Sequence, residues 1–485
     1  MSYPAVIHHG GVESVTGSCH QLNVDEYHSV LIDCGLRLGS AALHESESGS
    51  DINFHHEAIK ALVLTHVHID HVGRIPQLLA AGYRGPIICS EPSAEMLMLA
   101  LDDAGKHQFS QDKKQVERYL ALVRQLTISL PFNAWQEVIK TPDVTVKIRL
   151  QRAGHILGSA YVECDIHYAG EQAHKRIVFS GDLGSSHNPL LTSPASPECA
   201  DMLILESTYG DRLHEDRLSR QARLEQIINR ALADHGTILI PAFSIGRTQE
   251  LLYEIEDILR RKALIDDGEQ TCEAGLPVDW PQLPVILDSP LASRFTRVYR
   301  QFHGYWNTAA QERLSQGRAP LSFKQLITID RHDKHLQVVN YLASTGRPAI
   351  VIAGNGMCSG GRIVNYLKTM LGDSRHNVVF IGYQAPGTPG ATIQNYGPLN
   401  GYVEINGERF DINADISTVG GYSAHADQRE LLRFVTDMNT WPEEIRLVHG
   451  ESEAKKTLGE LFKREYSLRK TPLKLIIPGR SWRGE

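Results

Sequence analysis

The stretch LVLTHVHIDH, residues 62–71, decides how the rest of the chain is interpreted. Its first half is an apolar run that predicts a buried β-strand. Four side chains able to bind a metal follow the strand, namely His66, His68, Asp70 and His71. Imidazole nitrogen and carboxylate oxygen suit divalent metals, zinc first. The pattern therefore predicts a metal site, and a polar turn with incidental histidines is the alternative.

The composition limits the class of protein. Of the 485 residues, 42% are hydrophobic and 22% are charged, which excludes a mainly disordered chain. The net charge of −8 excludes a surface that binds polyanions everywhere, although a local basic cleft stays compatible with it. The seven cysteines are scattered, and no apolar run reaches the ~18 residues that span a bilayer. We expect a cytoplasmic protein that does not contact membranes.

Buried strands alternate with amphipathic helices along most of the chain. The segments TILIPAF, PVILDSP and PAIVIAGNGM each predict a strand that leads into a helix. This alternation predicts a parallel or mixed sheet flanked by helices. Residues 111–130 predict a helix, whereas residues 40–56 and 265–284 predict surface loops.

Three further polar residues stand beside predicted strands. His155 lies in the turn AGHILGSA, Asp182 follows the strand RIVFS, and Asp33 ends the strand SVLID. Each alone has a plain structural explanation, as a loop histidine, a helix cap or a cap of the strand turn. Beside the cluster at 66–71, the first two become candidate metal ligands. Asp33 becomes a candidate for orienting a ligand through a hydrogen bond.

These segments and their order resemble the metallo-β-lactamase superfamily, whose fold is an αββα sandwich with a two-metal site at the strand ends. The resemblance implies two zinc ions. One ion would be held by His66, His68 and His155. The other would be held by Asp70 and His71, and Asp182 would bridge the two ions.

The position of the last histidine ligand indicates the branch of the superfamily. The best candidate is His449 in IRLVHGE, far downstream of Asp182, so a whole domain is inserted between them. Together with ESTYG and GYSAHAD, this layout resembles the β-CASP branch of nucleases, near the endonuclease subunit of the pre-mRNA cleavage and polyadenylation machinery. We predict a metallo-β-lactamase domain in two parts, 1–208 and 386–485, and an inserted α/β β-CASP domain at 209–385.

The resemblance also implies a reaction, the hydrolysis of phosphodiester bonds by a hydroxide that bridges two metal ions. Asp70 and Asp182 would be catalytic through the metals. Glu206 in ESTYG and His425 in GYSAHAD match two motifs of the branch. Because imidazole titrates near neutral pH, His425 is the candidate general acid, oriented by Glu206. Without the resemblance, a loop histidine and an ion-pair carboxylate are the alternatives.

Single-stranded RNA is the predicted substrate, cut within the chain or from an end, and DNA is the second option. The segments AFSIGR and GNGMCSGGR open helices and are able to hold phosphates. The candidate substrate-binding residues are Ser244, Arg247, Ser359, Arg362 and Tyr383. A homodimer stays open. Two other classes also stay open: a hydrolase of small lactones or thioesters, and a non-catalytic RNA-binding subunit.

Overall fold

The computed structural model describes residues 3–37, 52–108, 113–170, 173–215, 219–266 and 280–479. They form two compact units, the first from Met1–Leu213 with Ala424–Glu485 and the inserted one from His214–Ser423. The loops predicted at 40–56 and 265–284 lie largely outside the described residues. Within these ranges, every helix is too short or too polar to cross a bilayer.

The first unit begins with a six-stranded sheet in chain order. Its strands are β1 (Ala5–Gly10), β2 (Cys19–Asn23), β3 (Ser29–Ile32), β4 (Ile59–Val63), β5 (Ile87–Ser90) and β6 (Thr127–Leu130). The first two pairings are antiparallel, and β3 to β6 run parallel. The sequence assigned 127–130 to a helix, but the residues TISL form β6, because they pair with β5 where that helix has ended.

A second sheet of seven strands completes the first unit, in the order β21-β20-β11-β10-β9-β8-β7. The strands are β7 (Trp135–Lys140), β8 (Val144–Arg152), β9 (Ala160–Tyr168), β10 (Ala173–Phe179), β11 (Met202–Glu206), β20 (Glu444–Val448) and β21 (Lys474–Ile476). From β10 to β21 the neighbours are parallel. The strand β20 follows the inserted unit in the sequence, yet it pairs directly with β11, which precedes that unit.

Apolar side chains from both sheets meet in one core, which includes Val30, Ile32, Val146 and Val162. Helices cover the outer faces: α1 (Ile69–Val72), α2 (Ile75–Ala80), α3 (Glu91–Gln108) and α4 (Lys113–Leu126) by the first sheet, and α12 (Gln428–Thr436) and α13 (Ser452–Arg469) by the second. Alternating strands and amphipathic helices bury their apolar faces in this way. The αββα sandwich expected from the sequence is confirmed.

The inserted unit has a fully parallel six-stranded sheet in the order β14-β13-β15-β12-β16-β19. Its strands are β12 (Thr237–Pro241), β13 (Val285–Asp288), β14 (Leu326–Thr328), β15 (Ala349–Ala353), β16 (Asn377–Phe380) and β19 (Asp415–Thr418), with a hairpin of β17 (Tyr402–Ile405) and β18 (Glu408–Asp411). Its helices are α5 (Arg220–Ala233), α6 (Arg247–Asp266), α7 (Pro290–Gln301), α8 (Thr308–Ser315), α9 (His332–Thr345), α10 (Ile363–Met370) and α11 (Pro389–Tyr396). This is the inserted α/β domain that the sequence predicted.

The inserted unit extends further along the chain than the sequence indicated. Residues 386–423 were expected in the C-terminal part of the first domain, but the chain returns to the first unit only at Ala424. The reason lies in packing, because β19 pairs with β16 and Val403, Ile405 and Ile412 are buried in the core of the inserted unit.

Candidate metal centre

The carboxyl ends of the strands bring the predicted site residues together. Asp33 follows β3, His66 follows β4, and Asp182 follows β10. Glu206 ends β11, and His449 follows the neighbouring β20. Ends of parallel strands share one edge of a sheet, which is where sheets of this kind place their sites. Residues far apart in sequence thus converge in the first unit.

The first group of ligand-type side chains is His66, His68, His155 and Asp182, whose ligand atoms all lie within 4.8 Å of one another. Nδ1 of His68 lies 3.0 Å from Nε2 of His66 and 3.2 Å from Nε2 of His155. Oδ2 of Asp182 lies 3.5 Å and 3.6 Å from the same two Nε2 atoms. Burial lowers the pKa of His66 well below its usual value and that of His68 to about 4. These imidazoles are therefore neutral at pH 7, as metal ligands must be.

The second group is Asp70, His71 and His449. Oδ2 of Asp70 lies 3.4 Å from Nε2 of His449 and 3.7 Å from Nε2 of His71. The other oxygen of Asp182, Oδ1, lies 3.3 Å from Nε2 of His71 and 3.4 Å from Nδ1 of His449. Asp182 therefore turns one carboxylate oxygen towards each group.

Two buried atoms test whether this donor set fits a metal. Nε2 of His71 and Oδ1 of Asp182 face each other, yet neither has a hydrogen-bond partner within the described part of the chain. Leaving such atoms unsatisfied costs roughly 1–3 kcal/mol each. Burial lowers the pKa of His71, but the carboxylates, first Asp182 and then Asp33, outweigh burial and hold it well above its usual range. The carboxylates around His71 therefore favour a positive charge at this position, which a bound zinc ion would provide.

Asp33 orients His71 from behind. Its Oδ2 accepts hydrogen bonds from Nδ1 of His71 at 2.7 Å and from the hydroxyl of Thr65 at 2.8 Å. Its Oδ1 accepts the backbone N–H of Thr65 at 2.8 Å. This hydrogen bond favours a proton on Nδ1 of His71, so the neutral ring that binds a metal would have its lone pair on Nε2, which faces the ligand group.

His425 and Glu206 form a pair beside the first ligand group. Nδ1 of His425 lies 3.2 Å from both oxygens of Glu206, and its Nε2 lies 4.0 Å from Oδ2 of Asp182. Glu206 is buried and accepts the backbone N–H groups of Leu183 at 2.6 Å and Thr208 at 3.3 Å. The side chain of His425 is 17% exposed, so solvent or a substrate has access to it.

The candidate substrate-binding residues of the inserted unit fall into two classes. Ser244, Arg247, Ser359 and Tyr383 lie in or beside loops that follow β12, β15 and β16, and Tyr383 is 56% exposed. Arg362 points inward instead. Its Nη1 donates to Oδ1 of Asp288 at 2.7 Å, and the guanidinium also donates to the backbone carbonyls of Ile329 and Asp330. A buried carboxylate engages the guanidinium in this structure, and the phosphate contact predicted for Arg362 stays a prediction.

Two residues near the site were not singled out from the sequence. The hydroxyl of Thr208 lies 3.3 Å from Nδ1 of His449, and its position two residues after Glu206 was the available signal. His20, on β2, is buried and lines a cavity of about 10 Å³ together with His71, Asp182 and His449. The unusual histidine content of the chain, 23 residues, was the only hint of it.

Three family models match this chain. Residues 23–229 match the metallo-beta-lactamase superfamily, residues 248–393 match the Beta-Casp domain, and residues 409–472 match the Zn-dependent metallo-hydrolase RNA specificity domain.

Similar proteins are known from bacteria and archaea. Ribonuclease TTHA0252 of Thermus thermophilus is 32% identical over 459 residues, which cover 94% of this chain and 95% of that protein. Transcription termination factor FttA of Methanosarcina mazei is 29% identical over 457 residues, which cover 92% of this chain and 66% of that protein. A solved B3 metallo-β-lactamase with an active-site glutamic acid covers 37% of this chain and 62% of its own at 20% identity, with a TM-score of 0.23, too low to support an argument.

Proposed function

The chain belongs to the β-CASP branch of the metallo-β-lactamase superfamily and is a metal-dependent nuclease, and we propose that it is a zinc-dependent ribonuclease acting on single-stranded RNA. The match to an RNA specificity domain favours RNA over DNA. The similarity to a ribonuclease across nearly the whole of both chains supports the same substrate class.

The position of Asp182 carries the proposal of two zinc ions. One ion would take His66, His68 and His155, and the other would take Asp70, His71 and His449. Asp182 lies between the two groups with one oxygen towards each, which is the arrangement a bridging carboxylate needs. When bound, the ions would supply a nucleophile at neutral pH and offset the negative charge of the phosphate.

His425 is proposed as the general acid. Its Nδ1 faces both oxygens of Glu206, so Nε2 is the atom that would protonate the departing oxygen of the cleaved bond. The backbone N–H groups of Leu183 and Thr208 hold the Glu206 carboxylate in place, so that it can orient the imidazole of His425. His425 would then protonate the leaving group, whereas Asp182 would bind the metal ions.

Four residues of the inserted unit are proposed to contact the RNA: Ser244, Arg247, Ser359 and Tyr383. The exposed ring of Tyr383 is suited to stack on a base, which is worth roughly 1–3 kcal/mol and tolerates any sequence. Ser359 is exposed in its glycine-rich loop and offers a hydroxyl to a phosphate.

Both alternative functions are less well supported. A hydrolase of lactones or thioesters has no need of an RNA specificity domain or of a Glu206–His425 pair beside the metals. A non-catalytic RNA-binding subunit has no need of a complete ligand set, whereas all seven candidate ligands converge here.

Cleavage of end-labelled and internally labelled single-stranded RNA tests the proposal. We expect cleavage by the unchanged protein, none by Asp182→Ala, and a loss of roughly 10²–10⁴-fold in His425→Ala, which should keep its zinc. His174→Ala, an exposed histidine on β10, is the matched control and should cleave normally. Equal cleavage by all variants would reveal a contaminating nuclease. Hydrolysis of a thioester without RNA cleavage would support the small-molecule alternative.

A further inference from the structure

The tyrosine of the GYSAHAD segment is buried within the inserted unit. Tyr422 is fully buried, and its hydroxyl donates a hydrogen bond to Oε2 of Glu254 on α6 at 2.5 Å. The other oxygen of Glu254 binds the guanidinium of Arg220, the first residue of α5, at 2.5 Å and 2.7 Å. A ring in this position cannot stack on a base, so the residue has another role.

Arg220 holds the same loop at a second point. Its Nη1 donates to the backbone carbonyl of Gly421 at 2.6 Å, and its guanidinium carbon lies 4.8 Å from the centre of the Tyr422 ring. Buried ion pairs are expensive to form unless every donor and acceptor is used, and their best-attested use is to select one geometry. Glu254 uses both oxygens here, so the arrangement specifies the position of residues 421 and 422.

His425 follows this anchored point by three residues. An extended chain spans at most about 3.3–3.6 Å per residue, so the anchored Tyr422 keeps the backbone of His425 within about 11 Å of its own. On the other side of His425, the backbone N–H of Ala426 donates to the carbonyl of Leu183 at 2.8 Å, and Asp427 caps α12. The segment that carries the imidazole is thus anchored at both ends.

We propose that Tyr422, Glu254 and Arg220 are positioning residues for His425, which fix the start of its loop from inside the inserted unit. This inference rests on the proposed function, in which His425 protonates the leaving group. None of the three is proposed to touch the substrate or a metal. They act by holding the imidazole where proton transfer is effective, because small misplacements of catalytic groups are costly.

The anchor depends on the tyrosine hydroxyl acting as a donor. Burial, and then the carboxylate of Glu254, hold the pKa of Tyr422 well above its usual value. The hydroxyl therefore keeps its proton across the physiological pH range. Replacing the tyrosine by phenylalanine removes this donor and leaves the ring in place.

The test compares two substrates in Tyr422→Phe. RNA has a poor leaving group that needs a proton, whereas bis(p-nitrophenyl) phosphate has a leaving group that departs with little help. We expect kcat on RNA to fall about 10- to 100-fold with KM within about twofold, and the aryl diester to be hydrolysed within about twofold of the normal rate. Zinc content should not change. Glu254→Gln should show the same difference between the two substrates, and it is the variant to test if Tyr422→Phe folds poorly.

Tyr366→Phe is the matched control. Tyr366 is also buried in the inserted unit, and its hydroxyl donates to Oδ2 of Asp288 at 2.6 Å. The Tyr366→Phe variant removes the same type of hydrogen bond, but the substituted residue is remote in sequence from His425. RNA cleavage by this variant should therefore be unchanged. In a His425→Ala background, Tyr422→Phe should cause no further loss, because the group it positions is gone.

Three results would overturn the inference alone: equal losses on both substrates, an additional loss caused by Tyr422→Phe in the His425→Ala background, or normal RNA cleavage by Tyr422→Phe. Normal RNA cleavage by His425→Ala would overturn the assignment of the general acid and this inference with it. The His425→Ala result therefore separates a failure of the proposed function from a failure of the positioning set.

Discussion

At the scale of single residues, the metal centre depends on which atom of each side chain faces inward. Asp182 divides its two oxygens between two ligand groups, and Asp33 decides which nitrogen of His71 carries a proton. The second effect needs no contact with a metal. A hydrogen bond on the outer side of an imidazole fixes its tautomer, its ring orientation and its basicity as a ligand.

Asp33→Asn tests this role of the outer carboxylate. An amide has one oxygen, so it cannot accept from the Thr65 hydroxyl, the Thr65 N–H and His71 together. We expect the affinity for zinc to fall about 10- to 100-fold, measured by competition with a chromophoric chelator. Asp25→Asn is the control, since Asp25 holds His28 at 2.8 Å in a similar but partly exposed pair. If both variants bind zinc equally well, Asp33 does not tune the site.

At the scale of elements, β1 and β2 carry a row of histidines that burial keeps neutral. Nδ1 of His8 lies 2.9 Å from Nδ1 of His20, and the ring of His9 stacks on Phe54. Burial is the main cause that lowers the pKa of His8 to about 3 and that of His9 to about 4, and it lowers the pKa of His20 well below its usual value. Protonation of these side chains therefore opposes folding.

The histidine row predicts how stability depends on pH. In the unfolded chain these histidines bind protons near pH 6.5, whereas in the folded chain His8 and His9 do so only near pH 3–4. The unfolded state thus binds more protons in between, and the free energy of unfolding should decrease as pH falls from about 6.5 to about 4. Urea denaturation of chelator-treated protein at several pH values measures this decrease.

Two variants decide whether His8 causes part of that pH dependence. His8→Gln should flatten the decrease, because one proton fewer is bound on unfolding. His55→Gln, at a fully exposed position, should leave it as it is. An unchanged slope in His8→Gln would show that His8 is not kept neutral by folding.

At the scale of the whole molecule, the first unit is assembled from two chain segments separated by the insertion. The strand β20 pairs with β11 over its full length, from Met202 opposite Glu444 to Glu206 opposite Val448. His449 reaches the second ligand group only when this pairing has formed. Zinc bound there would therefore stabilise the union of the two segments, because a ligand that binds only the folded state raises its stability.

Removal of the metal should affect the two units differently. We expect a chelator to lower the stability of the first unit by about 4 kcal/mol when free zinc had stood at a thousand times its dissociation constant. Hydrogen exchange should lose protection in β20, whereas β12 and β15 should keep theirs. Added Zn²⁺ should restore protection, and Ca²⁺, which prefers oxygen ligands, should not. Equal loss of protection in both units would contradict this account.

The sequence by itself determined the family, the sandwich, the presence of an insertion and the set of candidate ligands. These conclusions rest on local patterns, since an apolar strand followed by THVHIDH, ESTYG, GYSAHAD or LVHGE can be recognised without its surroundings. Strand ends also place such residues at one edge of a sheet, so their convergence was a reasonable expectation.

Only the tertiary structure decided which groups face one another and what is buried. It divided the oxygens of Asp182 between two groups, turned Arg362 inward to Asp288, placed Tyr422 against Glu254, and moved the end of the inserted unit to Ser423. Each of these depends on contacts between residues far apart in the chain, which side-chain packing and strand pairing determine together. A local sequence pattern gives the type of a side chain, whereas the tertiary structure determines which residue that side chain contacts.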